Sequence, residues 1–423
     1  MKKKNIALLV LAGMLNIYGL FSQETFNVMF YNLLNYPLEN NVENRLQYLN
    51  TIVDDYRPDL FMVCELNNEN GANDILAMMQ SINPNYNRAA FVLNNSDDNL
   101  GNQNDLQNLI YFDTSKFILE SQNEVITIYR DFNHYRLKLN TVNQSTNPIY
   151  IDVIVCHLKA SSGTDNQALR FQMVQDLTDY LTTFPANSNV ILGGDLNVYT
   201  HSEPAFQELI DTSNNITFVD PANRIGSWHN NNSYIDVFTQ STRTQTGLGG
   251  TTGGFDDRFD FILASENMLT NTDIFYVNDS YKVFGNNANT SCHNQEINST
   301  NCSGTDFDFN IRNALYYFSD HLPVTLQLQT TEVLNTHSPK LKKPIRFVGS
   351  NILNTSFLEL EIHSEALFNT TITIYNGIGQ LVKTIPLKNS IYIREDISNL
   401  SNGLYYITLS QFNSNPLKFV VTN

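Results

Sequence analysis

Basic residues are scarce. The chain of 423 residues has 25 Lys and Arg against 42 Asp and Glu, a formal net charge of −17 at pH 7. The deficit is local: Glu24 to Thr330 holds 14 basic and 36 acidic residues, whereas Ile345 onward holds 5 of each. Taken alone, such a balance argues against a broad electrostatic grip on nucleic acid, which rests on neutralising phosphates with Lys and Arg. It suits capture of cations, and a bound divalent ion inverts the local field. Long apolar runs are missing too, for none reaches the roughly 20 residues that span a bilayer comfortably. The uncharged stretch from Asn5 to Gln23 follows Met1-Lys2-Lys3-Lys4 and ends near the small residue Ser22. This is the pattern of a secretory signal peptide over residues 1–22, with an N-terminal membrane anchor as the alternative. No Cys follows it to carry a lipid.

Cysteine is sparse as well. Four residues cannot supply the dense disulfide framework of a small exported scaffold. Cys292 and Cys302 flank a polar, Asn-rich insert and could close one bridge there. Cys64 and Cys156 sit inside apolar runs, directly before Glu65 and His157. Side chains alternate along a strand, so both read as small buried hydrophobes pointing away from their polar neighbours.

What is present is a core. Hydrophobic residues make up 42% and aromatics 11%, enough for one large globular domain and one small one. Between residues 23 and 330, the segments Phe26 to Tyr31, Leu60 to Val63, Leu109 to Phe112, Tyr150 to Val155, Asn189 to Leu192, Phe259 to Leu263 and Val324 to Leu328 read as strands. Glu43 to Tyr56 and Asn166 to Leu181 carry apolar residues at helical spacing. The mixture indicates a layered α/β or α+β domain. Residues 331–344, with Pro339, Pro344 and three lysines, read as a linker. Residues 345–423 repeat short apolar runs between turn formers such as Asn376-Gly377 and Asn402-Gly403, which is an all-β sandwich pattern.

Polar groups recur where the apolar runs end. Asn32, Glu65, His157, Asp195 with Asn197, Asp260, and Asp320 with His321 all occupy such places, and the strings around Asp195 and Asp320 read as lying at C-terminal strand ends. Hard oxygen ligands from Glu65 and Asp320 suit Mg²⁺ or Ca²⁺, and such an ion polarises a phosphoryl oxygen. An imidazole held by a carboxylate can deprotonate water, and a second histidine can donate a proton to the departing oxygen. Taken singly, Gly-Asp-Leu-Asn reads as a turn and His157 as a satisfied strand-end residue. His134, His201, His229, His293, His337 and His363 read only as loop or surface residues.

Six strings in order carry a family resemblance. They are Tyr31-Asn32, Pro58-Asp59-Leu60 leading to Glu65, His157-Leu158-Lys159, Gly194-Asp195-Leu196-Asn197, Asp257-Arg258-Phe259-Asp260-Phe261-Ile262-Leu263 and Ser319-Asp320-His321-Leu322-Pro323-Val324. Together they resemble the endonuclease/exonuclease/phosphatase family over nearly all of Glu24 to Gln329. The resemblance implies a four-layered α/β sandwich, two packed β-sheets flanked by helices, hydrolysing phosphate esters with a divalent cation, Mg²⁺ first and Ca²⁺ or Mn²⁺ next. It implies Asn32, Glu65 and Asp320 near the metal, and Asp260 with His321 as the base-activating dyad. His157 would be the acid or a phosphate ligand, and Asp195 and Asn197 would orient water, metal or phosphate. Tyr135 and Arg136 resemble a substrate-phosphate contact. Cys64 stands where the family often has Gln, and Leu34 where its abasic-site repair members have an acidic ligand, which leans toward the secreted nuclease branch.

The tail resembles the sorting domain of type IX secretion substrates, through Ile374-Tyr375-Asn376-Gly377-Ile378-Gly379-Gln380-Leu381-Val382, Leu400-Ser401-Asn402-Gly403-Leu404-Tyr405-Tyr406 and Lys418-Phe419-Val420-Val421. The expectation is a secreted or surface-attached, monomeric, metal-dependent nuclease handled by the type IX secretion machinery, without a stable membrane span. The alternatives are a phosphoesterase acting on a lipid head group or a sugar phosphate, and an inactive surface binding protein.

Overall fold

The computed structural model describes residues 24–95, 106–271, 273–335, 345–362, 367–368, 370–409 and 416–422. The expected signal peptide (1–22) and most of the expected linker (336–344) lie outside the described residues. The chain divides into two compact units, residues 1–334 and 335–423.

Among the described residues of the first unit, thirteen strands form two sheets. Numbered along the chain, they are β1 (Glu24–Tyr36), β2 (Leu60–Leu66), β3 (Tyr86–Arg88), β4 (Gln107–Asp113), β5 (Phe117–Val125), β6 (Phe132–Leu139), β7 (Tyr150–His157), β8 (Val190–Asp195), β9 (Phe218–Val219), β10 (Asp260–Ser265), β11 (Phe275–Tyr276), β12 (Lys282–Val283) and β13 (Val324–Thr330). One sheet runs β11-β13-β1-β2-β4-β3, with β12 also on β13; the other runs β5-β6-β7-β8-β10-β9. The helices are α1 (Arg45–Tyr56), α2 (Glu69–Ile82), α3 (Thr164–Leu181), α4 (Pro204–Leu209) and α5 (Phe309–Phe318).

The sheets pack face to face. A Cβ on Gly193 of β8 would stand 2.6 Å from Met62 Cε of β2 and 3.3 Å from Phe30 Cβ of β1, so only glycine permits that approach. The strand period then divides the core in two. On β10, Ile262 and Ala264 join the inter-sheet cluster, whereas Phe261 and Leu263 join an outer cluster with Met173, Val174 and Leu177 of α3 and Phe206 of α4. Helices α1, α2 and α5 cover the first sheet through Leu49, Ile52, Ile75, Met79 and Leu315. The expected α/β sandwich of two sheets flanked by helices is the fold observed.

Strand direction positions the site. β1 runs parallel to β2, and β7 parallel to β8, so Asn32 lies beside Cys64 and Glu65, and His157 lies opposite Asp195. β10 runs antiparallel to β8 and brings its first residue, Asp260, opposite Asp195. β13 runs antiparallel to β1, so the segment entering it, Ser319 to Pro323, reaches the same end. One sequence reading is corrected here. Asp320 and His321 follow helix α5 and precede a strand, because an antiparallel partner must arrive at the site before its strand begins.

The second unit is all β, as expected. Ile345–Phe347, Phe357–Ile362 and Tyr392–Asp396 form one sheet; Ile352–Leu353, Leu417–Val421, Gly403–Leu409, Thr371–Asn376 and Leu381–Pro386 form the other. Leu358, Leu360, Ile372, Ile374, Ile407 and Phe419 share its core. Among the described residues no helix is long and apolar enough to cross a membrane.

Candidate active site

At the common strand end the first sheet supplies Asn32 and Glu65, and the second supplies His157 and Asp195. Asn32 stitches them: its Nδ2 donates to Glu65 Oε1 and to Asp195 Oδ2, each at 3.0 Å. Its Oδ1 accepts the Leu34 backbone N–H at 3.0 Å, so the amide links carboxylates rather than presenting a free oxygen. Glu65 Oε2 accepts the Asn35 backbone N–H at 3.0 Å. Glu65 and Asn197 hold φ of 56° and 51°. For side chains other than glycine this left-handed region costs about 1–2 kcal/mol, and such strain gathers at functional sites.

His321 is fixed from several sides. Its Nδ1 lies 2.7 Å from Asp260 Oδ2. Its Nε2 lies 2.6 Å from Gln240 Nε2, 3.5 Å from Asn32 Nδ2 and 3.8 Å from Asp195 Oδ2. In the neutral imidazole, with the Nδ1 proton donated to Asp260, Nε2 is the acceptor and Gln240 donates to it. Ser319 Oγ holds the turn, donating to the Asn32 carbonyl at 2.8 Å and accepting the His321 N–H at 3.1 Å. Across the site, His157 Nε2 lies 3.6 Å from Asp195 Oδ2 and 3.8 Å from Glu65 Oε1. Its Nδ1 is buried with no hydrogen-bond partner among the described residues.

Burial and crowded charge shift these groups. Burial, then the charge of Asp320, pushes the Glu65 carboxyl above its usual range. Burial, with Asp260 and Glu65 adding to it, pushes Asp195 up to about 8. Burial and then Arg130 hold His157 well below the usual imidazole range, so it is neutral. Burial opposes the charge on His321 as well, but Asp260, Asp320 and Asp195 outweigh it and hold that imidazole well above the usual range. Carboxylates pushed up by their neighbours gain from a cation placed among them.

The donor set fits such an ion. Glu65, His157 and Asp195 offer ligand atoms within 4.8 Å of one another, as do Asp195, Asp260 and His321. Oδ1 of Asp320 and Oδ1 of Asp260 are buried without hydrogen-bond partners among the described residues. Asp320, an expected ligand, is not in either close group.

The structure brings Asn32, Glu65, His157, Asp195, Asn197, Asp260, Asp320 and His321 together. It leaves out Tyr135 and Arg136. Tyr135 is buried in the inter-sheet core on β6, and its hydroxyl donates to the Asn108 carbonyl at 3.3 Å. Arg136 pairs with Asp152 at 3.4 Å and lies over the Tyr150 ring. The cleft is lined instead by an earlier copy of the same dipeptide, Tyr129-Arg130, in the loop joining β5 to β6. Arg130 is buried, donates to the carbonyls of His157 and Leu158 at 3.3 and 3.0 Å, and lies over the Tyr129 ring. The Tyr-Arg pair occurs at both places in the sequence, and that repetition was the available signal. Gln240 had none, standing in an unremarkable Thr-Gln-Ser-Thr string.

Glu65, Arg130, His157, Asp195, Asn197, Gln240, Asp320 and His321 line one open cleft of about 910 Å³, with Tyr129, Lys159, Tyr199, His229 and Phe259 on its walls and Asn32 and Asp260 behind them. His229 is an exposed loop residue, as expected, but it stands at the cleft wall: Nδ1 lies 2.8 Å from Asp257 Oδ1 and the ring meets Tyr199 edge-on. His134 departs from its loop or surface reading, being buried on β6 between Asp152 and Tyr180 at 2.9 Å from each. Cys64 and Cys156 are free and buried as expected, and Cys292 is bridged to Cys302.

Comparison with solved structures finds similarity to the human Nocturnin catalytic domain (15% identity, TM-score 0.42), which covers 73% of this chain and 97% of that one. D. rerio TDP2 complexed with single-strand DNA product is similar at 14% identity and TM-score 0.45, covering 73% and 100%. An endonuclease/exonuclease/phosphatase family protein from Bacteroides thetaiotaomicron is similar at 13% identity and TM-score 0.42, covering 73% and 98%. No curated protein matches the chain. Residues 354–423 match the secretion system C-terminal sorting domain, which marks the chain for export.

Proposed function

We propose that the chain is an exported, divalent-cation-dependent phosphodiesterase of the endonuclease/exonuclease/phosphatase type, acting on nucleic acid. The observation that carries the reading is the Asp260–His321 pair grouped with Asp195, the same carboxylate that groups with Glu65 and His157. Glu65 and Asp320 would hold the cation, with Mg²⁺ first and Ca²⁺ or Mn²⁺ as alternatives, and the cation would polarise the phosphoryl oxygen and offset its developing charge. In its neutral form, with the tautomer set by Asp260, His321 takes a proton from the attacking water at Nε2, and a cation offsetting Asp320 and Asp195 would favour that form. His157 would face the phosphate from the other side, where its neutral ring donates a hydrogen bond to a phosphoryl oxygen. Asn32 and Asn197 keep the carboxylates and the strand ends in register, and Arg130 seats the His157 carbonyl.

The walls favour a nucleic acid strand. Tyr199, half-buried, offers a ring on which a base could stack, and Lys159 and Arg130 place positive charge on the wall within an otherwise acidic unit. A second reading has its own observation: Ile126 and Ile128, 61% and 39% exposed, immediately precede Tyr129. Exposed apolar side chains beside the cleft suit a lipid-borne head group. The test is incubation of the exported chain with supercoiled plasmid, single-stranded DNA, RNA and sphingomyelin vesicles in Mg²⁺ plus Ca²⁺. Strand cleavage supports the first reading, and head-group release with intact nucleic acid replaces it by the second.

A further inference from the structure

The Gly-rich stretch from Gly247 to Gly254 is not accounted for by the hydrolytic groups, yet it reaches one of them. Gly250 has φ +65°, and a Cβ there would stand 2.5 Å from Asp320 Cγ and 2.6 Å from Oδ2. The next residue, Thr251, donates its backbone N–H to Asp320 Oδ2 at 2.7 Å, and Gln240 Nε2 donates to the same oxygen at 3.2 Å.

Two side chains hold this loop. Ser241 Oγ donates to the Thr251 carbonyl at 2.6 Å. Arg243, wholly buried, donates to the carbonyls of Leu248 and Gly249 at 2.9 and 3.0 Å. Its other nitrogens donate to the carbonyls of Tyr316 and Tyr317 at 2.8 and 3.2 Å, in the last turn of α5. One guanidinium thus ties the residues before Gly250 to the helix that leads into Asp320. Behind the loop, Asn294 and Gln295 exchange backbone hydrogen bonds with Phe255, within the segment closed by Cys292 and Cys302.

We propose that Gly250, Thr251, Ser241 and Arg243 form a positioning seat that fixes the Asp320 carboxylate through Oδ2 and leaves the buried, unpartnered Oδ1 for the divalent cation. The inference rests on the reading of Asp320 as a ligand. Its consequence is that cation affinity depends on a loop that contributes no ligand of its own. A side chain at Gly250 displaces the carboxylate directly, and loss of Ser241 Oγ frees the Thr251 peptide. Outer partners of this kind carry about 10–100-fold in metal affinity.

The test is Mn²⁺ titration of the full chain by calorimetry. Gly250→Ala is expected to weaken binding by about 10-fold or more, and Ser241→Ala by about 5-fold, the worth of one hydrogen bond. Gly253→Ala, in the same loop but with open space around its Cβ, is expected to bind as wild type. On an Asp320→Asn background, Gly250→Ala is expected to add nothing, since both act through one carboxylate. Should Gly250→Ala fail to fold, Ser241→Ala carries the comparison. Equal affinity in wild type and the folded seat variants would overturn the seat. A wild type that binds no Mn²⁺ would overturn the metal reading beneath it.

Discussion

His321 Nδ1 lies 2.7 Å from Asp260 Oδ2, although 61 residues separate the two in sequence. Two antiparallel strands from different sheets deliver them, β10 beginning at Asp260 and β13 beginning just after His321. The carboxylate fixes which imidazole nitrogen faces the cleft, and everything proposed for water activation depends on that choice. Asp260→Asn keeps the shape but can donate to Nδ1 and so favour the other tautomer. Turnover of bis(p-nitrophenyl) phosphate is expected to fall about 10²–10⁴-fold, with an unchanged circular dichroism spectrum. Near wild-type turnover would remove Asp260 from the dyad.

The exchange of Tyr135-Arg136 for Tyr129-Arg130 is open to direct comparison. Arg136→Ala removes a half-exposed ion pair at the sheet's far end and is expected to leave kcat/KM within about 2-fold, as exposed pairs contribute little. Arg130→Lys gives up a fork that holds the carbonyls of His157 and Leu158, and is expected to lower kcat/KM by about 10-fold or more. The opposite order would restore the sequence-based assignment.

A buried ion pair beside the cleft governs acid stability. Arg258 meets both oxygens of Asp220 at 2.8 Å, and both side chains are buried. Burial alone would raise the Asp220 carboxyl, but Arg258 holds it below the usual range. A carboxylate depressed in the folded state stabilises above its unfolded value, near pH 4, and that contribution disappears as pH falls through the lower folded value. Asp220→Asn strands the guanidinium and is expected to cost about 3–5 kcal/mol near neutrality. In thermal melts the gap between wild type and variant should be constant above about pH 5 and narrow below about pH 4. A gap that widens on acidification would contradict this.

The sequence was most legible where a rule of short range applied. The runs at Leu60, Tyr150 and Val324 announced buried strands, and the helical spacing of Leu169, Met173, Val174 and Leu177 announced α3, because burial on a regular element imposes its period on the chain. Strands β5 and β6 were not read. β5 lies at a sheet edge, so Glu120 and Ser121 face solvent and blur the period. Helix α5 was not read either, its Phe, Tyr and Ile content resembling a strand; the Asp308 side chain capping the Ile311 N–H was the local signal. Within the site, Glu65, His157, Asp260 and His321 stood in ordered strings. Gln240 and His229 reach the cleft only through loop paths, and nothing in their neighbours encodes that approach, whereas Arg130 was marked only by the repeated Tyr-Arg pair.

The most direct measurement of the central claim is hydrolysis of bis(p-nitrophenyl) phosphate by the full chain and by His321→Ala, with Mg²⁺, with Mn²⁺ and after EDTA. The account requires turnover in the wild type that EDTA abolishes and added cation restores, and a loss of about 10²-fold or more in the variant. Turnover that survives EDTA, or none in the wild type with Mg²⁺, Mn²⁺ or Ca²⁺, would contradict it.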